Sequence, residues 1–116
     1  MICSAPMPSS QLRAALEKLQ NAAYTTASEN EFELTSISCT PAARCGYGHS
    51  EISEVLEAER CGNPPSVKLP GFSHVEEELA DILLWVCIYA EGGKHRLAEA
   101  AEAKIEYWKT HPPRRP

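Results

Sequence analysis

Two pairs of carboxylates, set inside apolar helical repeats, limit what this chain can fold into. Glu51 and Glu54 lie in His49-Ser50-Glu51-Ile52-Ser53-Glu54-Val55-Leu56-Glu57, and Glu78 and Asp81 in Glu77-Glu78-Leu79-Ala80-Asp81-Ile82-Leu83. Each pair is spaced i, i+3, so on a helix both members project to one side. An acid on an apolar helix face is costly to bury without a partner. Two such helices packed face to face gather four carboxylates in one pocket. Like charges that close disfavour ionisation of one another and call for a cation among them. Clustered carboxylate oxygens suit hard cations, Mg²⁺ first, with Mn²⁺ as a substitute.

The flanking sequence is helical in its spacing. Ser10 is placed to cap a first helix reaching about Ala27, with Leu12, Ala15, Leu16, Leu19, Ala22 and Ala23 at helical intervals. Residues 28–40 read as a loop or frayed helix end; Phe32, Leu34, Ile37 and Cys39 alternate as in a strand, but no second strand is visible. Thr40-Pro41 reads as the cap and first position of a second helix running to about Cys61. Gly46 and Gly48 weaken its first half by about 1 kcal/mol each relative to Ala, which predicts a late start near His49. Gly62-Asn63-Pro64-Pro65 stops it, and Ser73-His74-Val75-Glu76 forms a capping box for a third helix ending before Gly92-Gly93. A fourth helix, roughly Arg96 to Lys109, turns Leu97, Ala100, Ala101, Ile105 and Trp108 inward and ends at Pro112-Pro113. The expected fold is all-α and four-helix bundle-like, with a flexible tail over 1–9, one helical domain over 10–113 and a tail over 114–116.

The third helix is apolar around most of its circumference. Leu79, Ile82, Leu83, Val86 and Tyr89 or Ala90 line one face, and Leu84, Trp85 and Ile88 fill much of the rest. A chain of 116 residues buries only a modest core of its own. A homodimer or homotetramer is therefore expected, with Leu84, Trp85 and Ile88 near the contact. The net charge of −5 gives no electrostatic drive toward nucleic acid. The longest apolar run, Ile82 to Ala90, has nine residues against the roughly 18–20 of a membrane span. The first residues lack the basic and apolar regions of a signal peptide, and five cysteines without paired spacing suggest reduced thiols, so a cytoplasmic location is expected. Cys39, Cys45, His49 and Cys61 are zinc-ligand types, but their irregular spacing argues against a zinc site.

Taken together, Glu51-Ile52-Ser53-Glu54, the loop Gly62-Asn63-Pro64-Pro65-Ser66, Pro70-Gly71-Phe72, Glu77-Glu78-Leu79-Ala80-Asp81 and Lys104-Ile105-Glu106-Tyr107 follow one another in a recognisable order. The chain thereby resembles the MazG-like nucleoside triphosphate pyrophosphohydrolases of the all-α NTP pyrophosphatase superfamily, over about residues 49–113. The resemblance implies hydrolysis of nucleoside or deoxynucleoside triphosphates between the α and β phosphates, giving the monophosphate and pyrophosphate, with nucleotide-pool house-cleaning as a role. It implies Glu51, Glu54, Glu78 and Asp81 as catalytic and Mg²⁺-holding residues. Substrate contacts are expected from Lys104, Tyr107 and Trp85, each with a plainer alternative: a surface lysine, core packing, and packing in a dimer core. Where similar proteins carry Asn after the tyrosine and a His-Gly tail, this chain has Trp108 and His111-Pro112-Pro113-Arg114-Arg115-Pro116. Arg114 and Arg115 are the cations available to replace that tail. Gly46, Gly48 and the cysteines also depart from the plain apolar helix of the family. Two other functions fit the same residues: a non-catalytic helical oligomer that binds nucleotide, and a hydrolase acting on a different pyrophosphate-containing molecule.

Overall fold

Four α-helices follow one another among the described residues: α1 (Ser9–Glu29), α2 (Pro41–Arg60), α3 (His74–Gly92) and α4 (Leu97–Thr110). The computed structural model describes residues 9–114; the expected N-terminal tail, save Ser9, and Arg115 and Pro116 lie outside them. The all-α expectation holds, and no strand occurs among the described residues. The alternation over residues 28–40 instead becomes a single 3₁₀ turn, Glu33–Thr35, which buries Leu34. The turn packs on α3 and α1, so Leu34 serves as a plug rather than a strand residue.

α2 does not start late. Thr40 caps it, its hydroxyl accepting from the Ala43 amide at 3.1 Å, and Pro41 takes the first turn, where no amide is needed. The helix then runs unbroken through both glycines to Arg60. Tertiary packing outweighs the propensity cost here. The Trp85 ring lies against Gly48, with ring carbons 2.6 and 2.7 Å from where a Cβ would stand. The Trp85 indole N–H also donates to the Arg44 carbonyl at 2.9 Å. Gly48 is thus the floor on which Trp85 rests, whereas Gly46 has open space beside it.

The turn between α2 and α3 is built by the motif that marks it. Gly62 and Asn63 take positive φ of 80° and 50° to end α2. The Asn63 amide donates to the Ala58 carbonyl at 2.8 Å, and its side-chain oxygen accepts from the Val75 amide at 2.9 Å. One residue therefore closes α2 and caps α3. Ser73 and Glu76 form the expected capping box, at 3.1 and 2.9 Å. The chain returns along α2, which fixes the register of the two acidic motifs.

α3 is central. It packs on α2 and on α1, and α4 packs on α1. Gln20 of α1 is buried and donates to Glu91 of α3 at 3.0 Å, and Arg13 makes a two-pronged contact with Glu102 of α4 at 2.9 and 3.3 Å. The buried apolar residues are mostly small: Leu34, Ala58, Cys87, Ile88, Ala90 and Ala98. Ile88, expected near a subunit contact, belongs to this core. Conversely Ile105 and Trp108, expected to point inward, remain 47% and 44% exposed.

The two glycines of α2 should respond oppositely to one methyl group. Gly46→Ala should stabilise the protein by about 1 kcal/mol through helix propensity. Gly48→Ala should destabilise it by about 1–3 kcal/mol, because its Cβ displaces Trp85. Thermal unfolding of the two variants beside wild type checks both signs.

Candidate functional site

The α2–α3 hairpin assembles an acidic centre. α2 supplies Tyr47, Glu51 and Glu54; α3 supplies His74, Glu77, Glu78 and Asp81. One carboxylate oxygen from each of Glu51, Glu54 and Glu78 lies within 4.8 Å of the others. Glu51 and Glu78 are buried, while Glu54 is exposed and opens the trio to solvent. Glu51 Oε2 and Glu78 Oε2 are shut away with no hydrogen-bond partner. Native structures rarely leave such atoms unpaired, so each orphan asks for a ligand. Asp81 stands outside the trio, but its charge acts on Glu51, Glu78 and Tyr47. All four acids expected from the sequence are therefore brought together, three tightly and Asp81 on the flank.

The electrostatics show the strain of this grouping. Burial raises the Glu51 carboxyl above its ordinary 4.5, the Tyr47 hydroxyl opposes this by donating to it, and the charges of Glu54 and Asp81 raise it further. Burial likewise raises Glu78, with Glu54 adding to the rise and His74 opposing it. Asp81 is raised above 3.8 by burial and by Glu77, and pulled back by Lys68. Tyr47 itself is pushed up to about 12 by burial and by the acids around it, so it stays a hydrogen-bond donor. A divalent cation held by the trio would relieve the repulsion and satisfy both orphan oxygens, and the all-oxygen donor set matches Mg²⁺.

Several members of the site were not anticipated. Tyr47 and His74 each precede a buried glutamate by four residues, one helical turn, and each hydrogen-bonds it; the His74 Nε2–Glu78 Oε1 distance is 3.0 Å. That i, i+4 spacing was the available signal. Glu77 is also buried, its Oε2 accepting from the Ser66 hydroxyl at 2.7 Å and its Oε1 lying 3.8 Å from Lys68 Nζ. His74, Glu77 and Glu78 are close enough to share an ion, but His74 Nε2 is bonded to Glu78 Oε1 and Glu77 Oε2 to the Ser66 hydroxyl, so these residues brace Glu78. Cys39, Cys45, His49 and Cys61 form no ligand cluster among the described residues.

An apolar cleft of about 520 Å³ opens beside the acids, between α1 and the hairpin. Asp81 and Tyr47 stand in its lining with Leu19, Phe32, Leu84 and Trp85. Trp85, expected to touch substrate or to pack in a dimer core, instead packs on Gly48 of its own chain and contributes a wall of this cleft. Lys104 and Tyr107 are not brought to the acids: they lie exposed on α4, the Lys104 ammonium 5.2 Å from the Tyr107 ring centre. No family model, curated protein or solved structure matches the chain.

The raised carboxyls set the sign of the pH dependence. A carboxyl whose folded pKa is raised stabilises the fold below its unfolded value and loses that contribution as pH climbs through the folded value. In EDTA, the melting temperature should therefore fall as pH rises from 4.5, the ordinary value for Glu51 and Glu78, toward neutrality. Millimolar Mg²⁺ should restore it at neutral pH and do less in acid, where protons compete for the same oxygens. Glu78→Gln, which removes one buried charge, should flatten the EDTA profile and abolish the Mg²⁺ response. Scanning calorimetry across this range reads both effects.

Proposed function

We propose that the protein is a Mg²⁺-dependent nucleoside triphosphate pyrophosphohydrolase with a MazG-type fold. The observation that carries this reading is the trio Glu51, Glu54 and Glu78, with two orphaned buried oxygens, flanked by Asp81 and Tyr47, which line an apolar cleft. The order of motifs along the chain supplies the reaction class, since it resembles that of enzymes cleaving between the α and β phosphates.

Glu51, Glu54 and Glu78 would hold Mg²⁺, which when bound neutralises the acids, binds phosphate oxygens and makes a water more acidic. The remaining work falls to this chain's own side chains. Tyr47 and His74 fix the orientation of Glu51 and Glu78 through their hydrogen bonds. Asp81, outside the trio and half-buried, is the acid free to accept a proton from the attacking water. The cleft wall formed by Leu19, Phe32, Leu84 and Trp85 excludes water and takes a flat apolar group such as a base. Attack at the α-phosphorus by water then breaks the α–β bridge, giving monophosphate and pyrophosphate. Positioning and charge neutralisation supply most of the rate.

The same reading includes a homo-oligomer. Ile52 and Leu56 of α2 are 54% and 51% exposed, and Leu79 and Leu83 of α3 are 51% and 48% exposed. Cys45, Ile52 and Leu56 recur at i, i+7, i+11 on α2, and Leu79, Leu83, Val86 and Ala90 at i, i+4, i+7, i+11 on α3. Cys45, Val86 and Ala90 line a common second cleft with Leu97 of α4, so the two strips face the same side of the hairpin. A second copy of the chain suits this side, because an exposed continuous apolar strip is uncommon on monomers.

Purified protein incubated with each NTP and dNTP should release monophosphate and pyrophosphate with Mg²⁺ and nothing in EDTA. Glu54→Gln and Asp81→Asn should lower kcat by at least about a hundredfold with unchanged circular dichroism, the cost of losing a positioned acid or base. A diphosphate as the first product, or full turnover in EDTA, would exclude this reaction class. Light scattering should give a dimer or tetramer at micromolar concentration, and Leu83→Glu should dissociate it; a wild-type monomer would rule out the assembly.

A further inference from the structure

The loop between α2 and α3 does more than reverse the chain. Ser66 is buried in it and is pinned from two sides: its hydroxyl donates to Glu77 Oε2 at 2.7 Å and accepts from the Leu69 amide at 2.9 Å. Its amide also donates to the Phe72 carbonyl at 2.8 Å, beside a Pro65–Ser73 bridge. Gly71, at φ 89°, allows the tight return. The loop is thus stapled to a buried acid one residue before Glu78. The staple presents Lys68 with its ammonium 3.8 Å from Glu77 Oε1 and its side chain 82% exposed.

That position has a charge problem that a lysine solves. Glu51, Glu54, Glu78 and Asp81 carry more negative charge than one divalent cation neutralises, and a polyphosphate brings more. Lys68 stands beside this centre, its ammonium 3.8 Å from Glu77 and its charge acting on Asp81, whereas Arg13 is paired with Glu102, Lys109 with Glu106, and Lys104 lies over Tyr107. His74 is committed to Glu78. Lys68 is held only loosely, since 3.8 Å is long for an ion pair and Ser66 already satisfies the other Glu77 oxygen. A largely hydrated ammonium on a short, anchored loop is a suitable phosphate partner, acting as a mobile point charge.

We infer that Lys68 is a substrate-positioning residue whose ammonium contacts a non-bridging oxygen of the metal-bound polyphosphate, in the place the sequence reading assigned to Lys104. This rests on the proposed triphosphate chemistry at the same site. Its charge also opposes a bare cation, because Lys68 already acts on Asp81. The contact therefore has a signature of opposite signs: Lys68 favours Mg²⁺ with polyphosphate and disfavours Mg²⁺ alone.

Calorimetric titration of the full chain, first with Mg²⁺ and then with imidodiphosphate at saturating Mg²⁺, reads both signs. Lys68→Ala should weaken imidodiphosphate by about tenfold, as for a lost charged hydrogen bond, and leave Mg²⁺ binding equal or tighter. Lys68→Arg should recover most of the analogue affinity. Unchanged analogue binding in Lys68→Ala would overturn the inference. So would joint loss of Mg²⁺ and analogue binding with a lowered melting temperature, since Lys68 would then be a strut acting through Glu77. A wild-type protein that binds Mg²⁺ but not the analogue would remove the polyphosphate reading itself, and the role of Lys68 with it.

Discussion

Glu51 and Glu78 meet across the α2–α3 interface, each with one oxygen shut away from water and from any hydrogen-bond donor. Apolar residues at those positions would pack more favourably, because burying ionised groups costs several kcal/mol each unless they are paired. Their surroundings consist largely of devices that make the burial tolerable. Tyr47 and His74 each donate from one turn away on the same helix, and Glu54 leads the cluster out to solvent. What they leave unsatisfied is one buried oxygen on each of the two, in a trio that brings one oxygen of Glu51, Glu54 and Glu78 within 4.8 Å of one another. Such a grouping of oxygens could hold a cation.

The rest of the hairpin serves the register of these two residues. Asn63 ends α2 and caps α3 at once, so neither helix can slide against the other without losing a hydrogen bond at the turn. At the opposite end, Trp85 sits on Gly48 and bonds to the Arg44 carbonyl, which locks the two helices at a second point. Between those two locks the acids have no freedom to drift apart, although their repulsion drives them to. Ser66 extends the same logic to the loop, tying its backbone to Glu77.

The remainder of the chain is lightly packed. Small residues dominate what is buried, and Ile52, Leu56, Leu79 and Leu83 stay about half exposed. The two clefts flank α3 and share Trp85 as a common wall. A protein organised in this way has one side of its central helix devoted to the polar centre and the opposite side left apolar.

Local signals settled much of the secondary structure from sequence alone. Thr40-Pro41, Ser73 with Glu76, and Gly62-Asn63 act through hydrogen bonds to neighbours a few residues away, so their effect is visible in the chain itself. The four acids were legible for a similar reason: two i, i+3 pairs on apolar faces have few physical explanations besides convergence. Long-range contacts decided the rest. Gly48 reads as a helix breaker until Trp85, thirty-seven positions later, is seen to occupy the space its missing side chain leaves. Ile88 reads as a surface for a partner until α1 covers it. Lys68 and Ser66 belong to the site only because the loop folds back onto Glu77, and Lys104 is kept from it because α4 packs on α1. Hydrogen bonds within a turn depend on adjacent residues and are written in their order; which distant faces meet depends on the packing of whole helices, and only the tertiary structure determines it.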